Sequence, residues 1–253
     1  MKTFRSCWPL GLLILAAGCG SAEIVIPERQ ATLLDLTKVG SVSGKVQFAG
    51  EAPPRQPIRL RGYAACSRAH EEPPLDESVI VNDGRLKNVF VYVQKGLEGR
   101  VFSIPEDPVV MDQKGCIYTP HVAGVQVYQP ILFLNSDSLL HNVHSEPKGT
   151  TRPFNFAMPV AGTERRVQFT SEEIGARVKC DVHGWMNAYL GVVDHPYFAV
   201  SAGDGTYRIE NLPPGEYTLE AWHETYGTRK GTVTLEEKGS ARLDFEFAPP
   251  TSP

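Results

Sequence analysis

The sequence carries no excess of positive charge: 25 Lys and Arg stand against 29 Asp and Glu, for a formal charge of −4. A basic face for nucleic acid is therefore not indicated. Sustained helical periodicity is missing between Gly40 and Val193, which excludes a helical bundle over that span. No Ser/His/Asp arrangement, glycine-rich phosphate loop or Cys-x-x-Cys-His haem attachment is present. Cysteine is scarce, with five in 253 residues. Cys7 falls in an expected leader, which leaves Cys19, Cys66, Cys116 and Cys180 to be explained one by one.

What is plentiful is turn chemistry. The 23 glycines and 20 prolines favour turn-rich β-structure, and the length admits two domains of roughly 100 to 200 residues each. The first residues read as an export signal, with Lys2 and Arg5 ahead of the apolar run Trp8–Leu15, which is too short for a membrane span. The run ends at Ala16-Ala17-Gly18-Cys19, which resembles the bacterial lipoprotein cleavage box with Ala16 where Leu is usual. The resemblance implies removal of 1–18 and lipidation of Cys19. In the simpler reading Cys19 is only a small residue near an ordinary cleavage site. Either way the chain is expected to be exported, and lipidation would hold it to the cell envelope with its folded part in the periplasm or at the outer surface. Residues 19–40 show no turn-bounded alternation and are expected to form a tether.

Alternation begins at Ser41–Phe48, where Val42, Gly44, Val46 and Phe48 share one face. Further strands are expected at Pro57–Leu60, at Leu86–Val93 after the Asn82-Asp83-Gly84 turn, at Val109–Met111 and Cys116–Tyr118, and at Gln126–Leu134. Ser171-Glu172-Glu173-Ile174 reads as one capped helical turn. Many short strands at this spacing predict an all-β sandwich or barrel.

The densest chemistry lies in Cys180-Asp181-Val182-His183-Gly184-Trp185-Met186. A thiolate, an imidazole and a thioether at the spacing Cys-x-x-His-x-x-Met are three of the ligand types of a blue-copper site, with Met as the long axial ligand. A second imidazole must come from elsewhere, and His141 is the candidate. His144, three positions on, should face the opposite side of a strand. Taken singly, each of these residues reads as a packing or surface residue; their joint spacing favours a metal. A binuclear copper loop would need a second cysteine, and zinc would give Met186 no role.

Tyr118-Thr119-Pro120-His121-Val122, Phe133-Leu134-Asn135-Ser136-Asp137, His141-Asn142-Val143 and the Cys180–Met186 loop together resemble the cupredoxin family of amicyanin and plastocyanin type, over residues 86 to 193. The resemblance implies a Greek-key sandwich with one mononuclear type 1 copper held by His141, Cys180, His183 and Met186. It also implies that Asn142 ties the two ligand loops together. The long stretch before Cys116 exceeds what that family needs, so a cupredoxin-like domain over 41–194 with an N-terminal β extension is expected. Gly184 stands where the family often has Pro, which implies a looser loop.

Cys66 and Cys116 are expected to form a disulfide in an oxidising compartment. Alternatively, Cys66 with His70 and Cys116 with His121 offer two thiolates and two imidazoles for a second metal. After Val193, the segment Phe198–His223 resembles the carboxypeptidase regulatory-like domain, a small transthyretin-type sandwich. Asp204-Gly205 and Pro213-Pro214-Gly215 are its turns, and Tyr207, Ile209, Tyr217, Leu219 and Ala221 alternate inward. The resemblance implies a β-sandwich over 195–248 without catalytic residues, so that His195 and His223 are structural.

The expected function is that of a membrane-anchored one-electron carrier with a redox partner protein such as a cytochrome or dehydrogenase. His183 would present its ring edge near the surface, and Trp185 would either contribute a docking patch or pack beneath the loop. A copper storage or delivery lipoprotein and a cell-surface scaffold are the alternatives. An enzyme is not expected, because four protein ligands leave no open metal position.

Overall fold

The computed structural model describes residues 26–60 and 62–249; the expected leader and Cys19 lie outside them. Among the described residues the chain is all-β apart from one short helix, and no helix there is long and apolar enough to cross a membrane. The first elements are β1 (Gly40–Phe48), the helix α1 (Ala64–Arg68), β2 (Val81–Asn82), β3 (Arg85–Leu86) and β4 (Phe90–Lys95). The middle of the chain forms β5 (Val109–Lys114), β6 (Ile117–Thr119), β7 (Val122–Gln126), β8 (Ile131–Asn135) and β9 (His141–Ser145). It continues with β10 (Phe154–Met158), β11 (Thr163–Val167), β12 (Glu173–Lys179) and β13 (Asn187–Val193). The last stretch forms β14 (Phe198–Val200), β15 (Thr206–Leu212), β16 (Gly215–His223), β17 (Gly227–Leu235), β18 (Ser240–Arg242) and β19 (Phe245–Phe247).

These strands build two sandwiches. In the first, the sheet β10-β9-β12-β13-β7 faces the sheet β11-β8-β5-β6. Met111, Tyr118, Ile131 and Phe133 of one sheet share a core with Val143, Val178, Ala188 and Leu190 of the other, so alternation along each strand decides which side chains face inward. In the second, the sheet β15-β1-β3-β2, joined by β18 and β19 along β1, faces β14-β4-β16-β17. Its core includes Val42, Val46, Phe48, Val91, Val93, Ile209, Leu219 and Phe247.

The pairing redraws the expected division at 194/195. β1 pairs antiparallel with β15 and parallel with β18 and β19, while β4 lies between β14 and β16. Strands from residues 40–95, expected to extend the metal-bearing unit, therefore complete the sandwich of residues 198–247. The first sandwich is inserted between β4 and β14. Period-two alternation in β1 identifies the buried face correctly, but it carries no information on which strand lies alongside. Gly44 shows how close that pairing is: a Cβ there would meet the Leu243 carbonyl oxygen at 1.7 Å.

The two sandwiches meet through Phe90, Tyr92, Val122, Val193 and their neighbours. Gly124 and Gly191, paired across β7 and β13, leave room for the Phe90 ring, whose nearest atom would stand 2.3 Å from a Cβ on Gly191. Residues 26–39, expected as a free tether, lie against the fold in part. Thr32 N–H donates to the Val101 carbonyl at 2.8 Å, and Arg29 pairs with Asp194 and caps the Tyr128 ring.

Other local expectations meet mixed outcomes. Asp83 and Gly84 adopt positive φ in the tight turn joining β2 to β3. Pro57–Leu60 is not a strand but makes a single bridge, Pro57 to Leu75. The expected helical turn at Ser171–Ile174 is replaced by the start of β12, where Glu173 and Ile174 pair with Val192 and Gly191. Pairing across the sheet outweighs a local capping signal four residues long.

Candidate metal centre

Two loops at one end of the first sandwich bring the candidate donors together. β12 and β13 are antiparallel neighbours, and Cys180–Met186 is the loop between them. It is closed by Cys180 N–H to Met186 O at 3.1 Å and Met186 N–H to His183 O at 2.8 Å. His141 is the first residue of β9, which pairs with β12. Buried Asn135 shapes the approach to it, donating to the carbonyls of Leu139 (3.0 Å) and Met158 (2.8 Å) and accepting from Asp137 N–H (2.9 Å).

His141 Nδ1 lies 3.0 Å from His183 Nδ1, and Cys180 Sγ lies 3.9 Å from the first and 3.7 Å from the second. A triangle with these edges has a circumscribed radius of about 2.1 Å, so one point in its plane stands at metal-bond distance from all three, where zinc–nitrogen bonds are ~2.0–2.1 Å and zinc–thiolate bonds ~2.3 Å. All three residues are buried, as is Met186, which belongs to the same core as Cys180. The donor set fits a soft or borderline transition metal by its chemistry, and the spacing fits by its size.

The residues around the triangle prepare it. Asp137 accepts from His141 Nε2–H at 3.0 Å, which fixes the ring with Nδ1 turned toward Cys180 and His183. Burial pushes the Asp137 carboxyl up, but hydrogen bonds from His141 and the Cys116 and Gly115 amides outweigh it and hold it below its ordinary value. Burial likewise pushes the Cys180 thiol up, and His141 with the amides of Asn142, His183 and Val182 brings it below the ordinary value. The site thus favours the thiolate that a metal needs. His183 is pushed down to about 4 by burial and by the neighbouring His141, which leaves its ring neutral.

Asn142 joins the two loops: its Oδ1 accepts Asp181 N–H at 2.7 Å and its Nδ2 donates to Asp181 Oδ2 at 2.9 Å. Beneath them the Asn142 carbonyl accepts from Tyr118 Oη at 3.1 Å and from Gln113 Nε2 at 3.0 Å. His144 stands outside the triangle, on Asp181 at 2.7 Å.

Cys66 and Cys116 are joined in a disulfide. His70 donates through Nε2 to the Gly115 carbonyl at 2.7 Å, and His121 pairs with Glu224, so the four do not assemble around a second metal. His195 and His223 are buried in the second sandwich or its rim, each accepting a backbone N–H through Nδ1.

Contrary to expectation, His183 presents no edge to the surface, being 1% exposed. Tyr63, just before α1, covers it edge-on with ring centroids 4.8 Å apart and donates to the Val182 carbonyl at 3.1 Å. Trp185 packs beside both rings and donates to the Cys116 carbonyl at 3.0 Å, so it is a packing residue. Asp137 and Tyr63 escaped the sequence reading. Asp137 has a weak signal, four residues before His141; Tyr63 has none, because it acts only across 119 residues of chain.

The family model for the carboxypeptidase regulatory-like domain matches residues 187–248. This span begins in β13 and omits β1 and β4, which complete the sandwich. No curated protein matches the chain. Among solved structures, the copper-containing nitrite reductase of Thermus scotoductus SA-01 is similar at 19% identity and TM-score 0.32, covering 39% of this chain and 24% of that one. Amicyanin from Paracoccus versutus is similar at 18% identity and TM-score 0.31, covering 40% and 96%. A purple cupredoxin from Nitrosopumilus maritimus is similar at 19% identity and TM-score 0.29, covering 33% and 98%.

Proposed function

We propose that the chain is a copper protein whose mononuclear centre would be held by His141, Cys180 and His183 with Met186 as a fourth, weaker donor, and that it carries single electrons. The observation that supports this reading is the convergence of one thiol and two imidazole nitrogens on a point about 2.1 Å from each, the bond length such donors make. Copper would supply a one-electron couple at that point. The protein's own residues would do the rest. Asp137 fixes the His141 ring, Asn142 locks the loops in one geometry for both oxidation states, and burial excludes water. With four protein donors and no open position, we assign the centre no catalytic turnover.

A second reading, copper delivery rather than electron carriage, is favoured by the covered His183: a carrier gains from a ligand edge at the surface, and none is there. In either case we place the protein in the cell envelope, anchored through Cys19, with a redox or metal-accepting protein as partner. Replacement of Cys19 by Ala should then release it from membranes.

Addition of copper(II) to the purified chain tests the carrier reading. An intense thiolate charge-transfer colour, lost on reduction and regained on reoxidation, is expected. Tight binding of copper(I) with no coloured oxidised form supports delivery instead, and no stoichiometric metal overturns both.

A further inference from the structure

The disulfide lies against the metal centre rather than at a distance from it. Cys66 Sγ, Cys116 Sγ and a ring nitrogen of His183 lie within 4.8 Å of one another, and all three residues are buried. His183 therefore belongs to two donor sets at once: one with His141 and Cys180, the other with the bridged sulfurs. Asp137 reinforces the connection, because the carboxylate that holds His141 also accepts the amides of Gly115 and Cys116 at 2.7 and 2.8 Å.

The disulfide is also the covalent tie of the cover over His183, which is held besides by Tyr63 Oη on the Val182 carbonyl and His70 Nε2 on the Gly115 carbonyl. Residues 57–60 and 62–76 form a strap that holds only the short helix α1, closed on itself by one bridge and by Ile58 N–H to Pro74 O and Asp76 N–H to Gln56 O, each 2.8 Å. Among residues 62–69, Cys66 alone is buried. With Leu60 as its other buried side chain, the segment opens more readily once its covalent tie is cut.

We propose that Cys66 and Cys116, reduced to thiols, form with His183 a second, soft-metal site for copper(I), which exists only in the reduced protein and serves as a redox-controlled way in and out of the buried centre. The use as an entry and exit route rests on the copper reading above; the binding itself does not. The chemistry balances with a dithiol as reductant. Its thiolate attacks one bridge sulfur, its second thiol closes a disulfide on itself, and two electrons with two protons remain on Cys66 and Cys116. Copper(I) then binds the two sulfurs and the His183 nitrogen, releasing the two thiol protons with no change in its oxidation state. Thiolates select copper(I) among the metals that imidazole would also accept. Zinc prefers four protein donors in a closed site, and this set offers three.

The experiment uses the full chain without oxygen, with copper(I) titrated against a chromogenic chelator. The Cys180→Ser protein, which lacks the thiolate of the first centre, is compared with its disulfide intact and after treatment with a phosphine reductant. At least tenfold tighter binding of one copper(I) in the reduced form is expected, with two sulfurs and one nitrogen around copper by X-ray absorption. Adding Cys66→Ser and Cys116→Ser should abolish the gain. Reduction followed by alkylation of Cys180→Ser provides the same control should that variant fail to fold. Equal affinity in oxidised and reduced Cys180→Ser, or a gain that survives loss or alkylation of both thiols, overturns the proposal. Absence of blue colour in the wild type alongside a reduction-dependent gain in Cys180→Ser would overturn the carrier reading and leave this site standing.

Discussion

Cys180 is the donor whose role no neighbour can take over. Serine in its place offers a hard, poorly ionised oxygen, so Cys180→Ser should abolish the thiolate colour altogether. His141→Ala and His183→Ala each remove one imidazole and leave the thiolate, so weaker copper binding with an altered spectrum is expected. Met186→Leu should keep the colour and raise the reduction potential, because the oxidised ion loses more from a missing donor than the reduced one. His144→Ala should change neither, since that ring pairs with Asp181 outside the triangle. Asn142→Ala leaves the Asp181 amide and the loop junction without their partner; a loss of about 1–3 kcal/mol in urea unfolding of the metal-free protein is expected. The candidate donors are legible because three of them occupy one seven-residue loop. Asp137 is not: the segment Phe133–Asp137 gives it no role by itself, and its work depends on Gly115 and Cys116, which enter left-handed φ in a separate hairpin.

Strand β1 illustrates what alternation can and cannot say about an element. Its buried face is written in Val42, Gly44, Val46 and Phe48, yet its partners β15, β18 and β19 lie at the far end of the chain. The same holds for β4, which is paired on both sides by strands beyond residue 197. Turn chemistry and alternation locate some of the strands and the resemblances two sandwiches, but a partner strand is chosen by tertiary packing rather than by local pattern. A direct consequence concerns residues 195–248 expressed alone. That fragment lacks β1 and β4, exposes Leu219, Ala221 and Ile209, and should remain unfolded or aggregate. Co-expression with residues 40–95 should restore dispersed, protected amide signals. A cooperative unfolding transition in the isolated 195–248 fragment would show that the N-terminal strands are dispensable.

For the whole molecule, two buried histidines away from the metal centre contribute to the response to acid. His195 and His223 are pushed down to about 4, chiefly by burial, with His121 adding to the effect on His223. Each ring also uses its Nδ1 lone pair to accept a backbone N–H, from Tyr197 and Thr225 respectively. The unfolded chain takes up these protons near pH 6.5 and the folded chain only near 4. The unfolded state therefore binds more protons in that window, and stability should fall as pH drops through it. The loss is on the order of 3 kcal/mol per ring and levels off below the folded value. Urea titrations of the metal-free protein across that range measure it, and His195→Gln should flatten the slope; an unchanged slope would show that His195 is not the titrating group. The central claim, that His141, Cys180 and His183 enclose one metal ion, is tested most directly by X-ray absorption at the copper edge on protein loaded with one equivalent of copper(II), disulfide intact. Two nitrogens and one sulfur at about 2.1 Å are expected around a single copper. A first shell of oxygen and nitrogen without sulfur would contradict it.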